Sequence, residues 1–90
     1  MITIDNLANA IYLAEGGEHT KWPYGIMSHY AHTSPRQACI NTIRTAMAHY
    51  HVVAVDRHFV TLLADTYCPR FVDPLGNRNW KHNVIKILHL

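Results

Sequence analysis

Ile4-Asp5-Asn6-Leu7-Ala8-Asn9-Ala10-Ile11-Tyr12-Leu13-Ala14-Glu15-Gly16-Gly17 is the stretch that decides the fold. Its apolar residues Ile4, Leu7, Ala8, Ile11 and Tyr12 recur at the three-to-four spacing of one buried helical stripe. Thr3 or Asp5 can cap the start, and the diglycine stops the helix. One more step along the stripe reaches Glu15. An acid therefore stands where the apolar face would continue, at the helix's last turn. Burial there disfavours the charged carboxylate. The negative end of the helix dipole opposes an anion as well, by a few tenths to about 1 kcal/mol. Lysine, not glutamate, is what such a position favours. A carboxylic acid held protonated near neutral pH is a general acid. The competing reading is a glutamate turned into solvent at a frayed helix end. Glu18, past the diglycine, has no pattern that buries it.

Three more helical patterns follow. The second opens with Ser34-Pro35, a cap residue before a first-turn proline, and carries Ala38, Ile40, Ile43, Met47 and Tyr50. The third opens at Asp56, carries Phe59, Leu62, Leu63 and Tyr67, and ends at Cys68-Pro69. The fourth opens at Asn77 or Asn79 and carries Trp80, Val84, Ile87 and Leu88. Residues 51–55 read as a short apolar, strand-like link, and residues 69–78 as a loop with an Asp73-Pro74 turn. The aromatic connector 16–33 is long, and loops of that length are often functional. The expectation is a mostly α fold of about four helices with long connecting loops.

Ninety residues make one domain, 1–90. Apolar residues are 49% and charged residues 16%, which excludes a disordered tail. The net charge of +2 comes from scattered bases without a run, so no nucleic-acid arm is present. No apolar stretch is long enough to span a bilayer, and the N-terminus lacks the look of a signal peptide. Cys39 and Cys68 could pair once, or act as two small buried apolar residues. The eight histidines form no zinc-ligand pattern, so no metal and no cofactor is expected. Neither cysteine has a base tied to it, which argues against a thiol nucleophile.

The six acids are then the main source of acid/base chemistry: Asp5, Glu15, Glu18, Asp56, Asp65 and Asp73. Glycosidic cleavage usually takes two carboxylates, about 5–5.5 Å apart for retention and about 6.5–9.5 Å for inversion. Asp5 begins the first helix, roughly 15 Å of helix rise from Glu15. Asp56 is in a cap context and Asp73 in a turn context. Asp65 and Glu18 are the nearest to possible partners, and neither is strongly placed.

At this point the residues resemble a known pattern. Glu15-Gly16-Gly17 followed by Tyr24-Gly25-Ile26-Met27-Ser28 is similar to the Glu-Ser-Gly-Gly and Gly-Leu-Met-Gln signature of lytic transglycosylases and goose-type lysozymes. Leu62-Leu63-Ala64-Asp65-Thr66-Tyr67-Cys68-Pro69 resembles the family's Ala-Ala-Tyr-Asn-Ala-Gly helix end, and Asn79-Trp80-Lys81-His82-Asn83-Val84 its terminal helix. The chain also looks like small bacteriophage-encoded proteins of the lysozyme-like superfamily, with Trp22-Pro23-Tyr24-Gly25-Ile26 fitting their Tyr-Pro-Tyr-Gly-Ile segment. Gly16, Ser28 and Cys68 depart from the family's serine, glutamine and asparagine, and the chain is shorter than most members.

The resemblance implies a lysozyme-like helical fold and a peptidoglycan lytic transglycosylase, or muramidase. It implies cleavage of the MurNAc-GlcNAc bond by one catalytic glutamate, Glu15. In that family the acid protonates the leaving oxygen and the substrate's own acetamido group stabilises the sugar cation. The glutamate then takes the proton of the sugar's 6-hydroxyl, closing a 1,6-anhydro ring. Ser28 and Tyr67 would hold the acetamido group or the transition state. Tyr24, Met27 and Trp22 would line the sugar subsites; core packing is the alternative for each. The implied partners are peptidoglycan glycan strands and other phage virion proteins. The implied place of action is the periplasm or cell wall, from a virion or an infected bacterium. The rival is a non-catalytic phage structural or tail protein of the same fold that binds peptidoglycan. A helix-turn-helix nucleic-acid binder fits poorly, because five or so apolar residues separate the second and third helices where that motif has a tight turn.

Overall fold

Thr3 starts the first helix by a reciprocal cap. Its hydroxyl accepts from the Asn6 N–H at 3.0 Å, and the Asn6 side chain accepts from the Thr3 N–H at 3.2 Å. A computed structural model describes residues 1–26 and 33–90 of the chain. Helix α1 spans Ile4–Ala14, α2 spans Pro35–His49, α3 spans Arg57–Tyr67 and α4 spans Pro74–Leu88. A single 3-10 turn, Gly17–His19, follows α1. The described residues are thus mostly helical, as the periodicity predicts.

Asp56 caps α3 by accepting from the Phe59 N–H at 2.8 Å. Ser34 stands at the α2 cap position without a side-chain bond to the first turn, so the proline at the start carries that boundary. Helix α4 begins at Pro74, earlier than the Asn77 or Asn79 start expected from sequence. Asp73 is its cap, accepting from the Gly76 N–H at 2.9 Å, and Pro74 is its first residue. The Asp-Pro pair is a helix start of the Ser34-Pro35 kind and not a free turn. Gly76 inside the first turn disguised it, since glycine is a poor helix former. The 51–55 link contributes only one isolated antiparallel bridge, Ile2 to Val55.

Helix α1 packs on α2 and on α4, and α3 packs on α4 and on α2, so the four helices close a ring. Leu7, Ile11, Ile43, Phe59, Val60, Leu63 and Val84 fill its centre with no solvent exposure. The radius of gyration, 12.0 Å, equals what a compact chain of this length should have, about 12 Å. Asn77 is the one buried polar side chain among the described residues. Its amide donates to the Cys68 carbonyl at 2.8 Å and to Asp65 at 3.0 Å, locking the end of α3 to the start of α4. Both cysteines are free thiols. No helix among the described residues is long and apolar enough to cross a membrane.

Candidate functional site

Glu15 is the residue that caps the C-terminal end of α1. Its N–H still donates to the Ile11 carbonyl at 2.9 Å, so its position is fixed by the helix. Gly16 then turns the chain with φ of +93°, a left-handed conformation that costs glycine little. The side chain does not swing out to water but lies half-buried. Burial pushes its carboxyl pKa above the ordinary value, and the indole of Trp80 pulls it back somewhat.

The carboxyl rests on Gly25. A β-carbon added to Gly25 would lie 2.7 Å from Glu15 Cδ, 2.7 Å from Oε2 and 3.0 Å from Oε1. Gly25 also has φ of +73°, so glycine serves there for conformation and for close approach. Its N–H donates to the Trp22 carbonyl at 2.8 Å, closing the turn that carries it. Tyr24 pins this turn to the protein. Its ring is buried 5.2 Å from that of Tyr12, and its hydroxyl accepts from Arg36 at 3.2 Å. Arg36 also reaches Asn9 at 2.8 Å and Asp5 at 3.3 Å. The loop that meets Glu15 is thereby tied to both α1 and α2.

Trp80 forms another side of the site. The residue is 7% exposed, and its indole Nε1 is buried without an acceptor in full hydrogen-bonding geometry. It nonetheless stands near enough to Glu15 to favour the charged carboxylate. The indole stacks on Tyr67, with ring centroids 4.9 Å apart and planes 17° apart. The Tyr67 hydroxyl meets Cys39 Sγ at 3.4 Å. Burial first, then Cys39 and the Glu15 charge, push the Tyr67 phenol far above its ordinary pKa. Burial likewise raises the Cys39 thiol, against the opposing pull of Tyr67 and Arg36. Neither group is prepared to ionise, which leaves Glu15 as the carboxyl group of this cluster.

Four of the five other acids are occupied. Asp5 pairs with Arg36, and Asp56 and Asp73 cap helices. Asp65 accepts from Arg70 at 3.0 Å and from Asn77 at 3.0 Å. Glu18 lies exposed in the 3-10 turn. No carboxylate among the described residues perturbs the ionisation of Glu15.

Of the residues expected at the site, the structure therefore groups Glu15 with Tyr67 and with the turn 22–25. Tyr24 spends its ring and hydroxyl on anchoring this turn. Trp22 is half-buried, with Lys21 Nζ 5.5 Å from its ring. Met27 and Ser28 lie outside the described residues. Gly25 and Trp80 are the members that sequence reasoning passed over. The sequence signal for Gly25 was its place between Tyr24 and Ile26, read only as motif; Trp80 looked like core.

No family model matches the chain, and neither a curated protein nor a solved structure shows significant similarity to it.

Proposed function

We propose that the chain is a peptidoglycan lytic transglycosylase, a muramidase that cleaves the MurNAc-GlcNAc bond with Glu15 alone as acid and then base. The observation that carries the reading is the seat of Glu15: a half-buried carboxyl against the Cα of Gly25, with a raised pKa. A carboxyl in such a setting holds its proton at higher pH than an exposed one and can give it to a leaving glycosidic oxygen. The commitment of Asp5, Asp56, Asp65 and Asp73 to caps and ion pairs, with Glu18 left exposed in the 3-10 turn, supports a route in which the substrate supplies the second group. After donation, the Glu15 carboxylate takes the proton of the sugar's 6-hydroxyl, whose oxygen closes on the anomeric carbon. The Trp80 N–H favours the carboxylate that the first proton transfer leaves behind. A phage origin and action at the cell wall belong to the same reading.

Purified peptidoglycan incubated with wild type and with Glu15→Gln, followed by mass spectrometry, tests it. Anhydro-muropeptides from the wild type alone are expected. Equal release by both proteins overturns the role of Glu15, and reducing-end products overturn the anhydro route. Retention on peptidoglycan with no soluble product from the wild type would make the chain a binder.

A further inference from the structure

The turn between α3 and α4 presents apolar side chains to solvent. Phe71 is 101% exposed, Val72 82% and Leu75 63%. Loose segments often expose apolar residues, but this one is held. The Val72 and Asp73 N–H groups both donate to the Pro69 carbonyl, at 3.1 and 2.9 Å. The Asn77 amide clamps the Cys68 carbonyl, and Asp73 caps α4. The exposed tip is thus preorganised, and its apolar area is not an accident of disorder.

Cations follow the tip along α4. Leu75, Arg78 and His82 recur at three- and four-residue spacing and are all exposed, so they form one outward stripe along α4. Arg70 adjoins Phe71, and Lys81 lies one turn beyond Arg78. The two nearby acids are engaged: Asp65 by Arg70 and Asn77, Asp73 by the first turn of α4. Arg78 stands about 4.5 Å of helix rise above Leu75, and His82 about 10 Å above it. An apolar tip with cations at that height matches a bilayer interface, where apolar groups sink about 5–10 Å below the headgroups.

We propose that this tip is a peripheral membrane anchor. Phe71, Val72 and Leu75 enter the interface of an anionic phospholipid leaflet, and Arg78 and Lys81 meet its phosphates. The proposal is independent of the glycan reading, since the surface and the assay involve no sugar.

The full chain is sedimented with large vesicles of phosphatidylcholine alone or mixed with phosphatidylglycerol. Binding to the mixed vesicles is expected, weakening as salt rises. The double variant Phe71→Ser, Val72→Ser should bind about tenfold more weakly or worse, with its helical circular dichroism unchanged because both side chains are solvent-exposed. Arg78→Glu should lose the preference for the anionic lipid. A Phe71→Trp variant should show blue-shifted emission with mixed vesicles that the wild type does not match. Failure to sediment with mixed vesicles overturns the proposal, as does equal sedimentation of wild type and double variant. A concentration-dependent dimer abolished by the double variant, without vesicle binding, would assign the tip to a second copy and overturn it too.

Discussion

The Glu15 carboxyl lies on the Cα of Gly25, so closely that a β-carbon at position 25 would sit 2.7 Å from Cδ. The two residues come from different elements: one closes α1, and the other occupies a turn pinned by Tyr24 and Arg36. Their contact fixes where the acid stands and removes water from one face of it. Position, burial and the upward shift of the Glu15 pKa thus share one cause.

Gly25→Ala separates that cause from folding. The methyl group would meet the end of a flexible side chain, so the carboxyl moves and the backbone need not. Its φ of +73° adds a conformational cost of about 1–2 kcal/mol. Thermal unfolding should drop by about 4–8 °C per kcal/mol in a domain of this size. The variant should remain folded while its peptidoglycan product falls to the level of Glu15→Gln. Full activity in a folded Gly25→Ala protein would show that the seat is irrelevant.

The raised pKa of Glu15 fixes the sign of a stability effect. Between the unfolded and folded pKa values, the native chain holds a proton that the unfolded chain has released. The stability from this group is complete below the unfolded pKa, declines as pH rises through the window, and is lost above the folded pKa. Glu15→Gln removes the burial of a charge, so it should melt higher than wild type at about pH 7 and lose that advantage near pH 4. Paired melting curves across pH check this. A variant less stable at neutral pH would mean that the carboxylate is held by favourable contacts.

Much of this was legible because caps and periodicity are local. Thr3, Asp56 and the Ser34-Pro35 pair mark their helices in sequence and in structure alike. Asp73-Pro74 carried the same signal, but Gly76 and Asn77 behind it look like loop residues. Asn77 is helical because its amide has tertiary partners in Cys68 and Asp65, which no local pattern reveals. The site divides in the same way. The apolar stripe of α1 leads to Glu15, whereas the approach of Gly25 depends on how a loop returns to the helix. Trp80 reads as core from its spacing, and it is buried; only packing shows that its N–H comes near Glu15 without full hydrogen-bonding geometry.

Asn77→Ala should be among the more damaging single changes away from Glu15. It strips a donor from the Cys68 carbonyl and from Asp65 at a buried place, for a cost of about 1–3 kcal/mol. Urea unfolding should show a lower midpoint with little change in slope. Because Asn77 holds the base of the 69–73 turn, hydrogen exchange at the Val72 and Asp73 amides should quicken relative to the α1 amides. Unchanged protection there would mean that the Pro69 carbonyl holds the turn by itself.

Trp80→Phe tests whether the indole acts on Glu15 or only fills space. Phenylalanine keeps an aromatic face for Tyr67, whose ring stacks 4.9 Å from the native indole. It removes the buried N–H, a donor left without an acceptor in full geometry, so that loss carries little penalty. The smaller ring leaves some empty volume, for a net loss of about 1–2 kcal/mol. The informative readout is the Glu15 titration, followed through its side-chain carbonyl carbon by NMR. With the N–H gone, burial acts unopposed and the carboxyl pKa should move further up. The basic limb of the peptidoglycan-cleavage profile should move with it. An indole that only packs would lower stability and leave the Glu15 titration where it was.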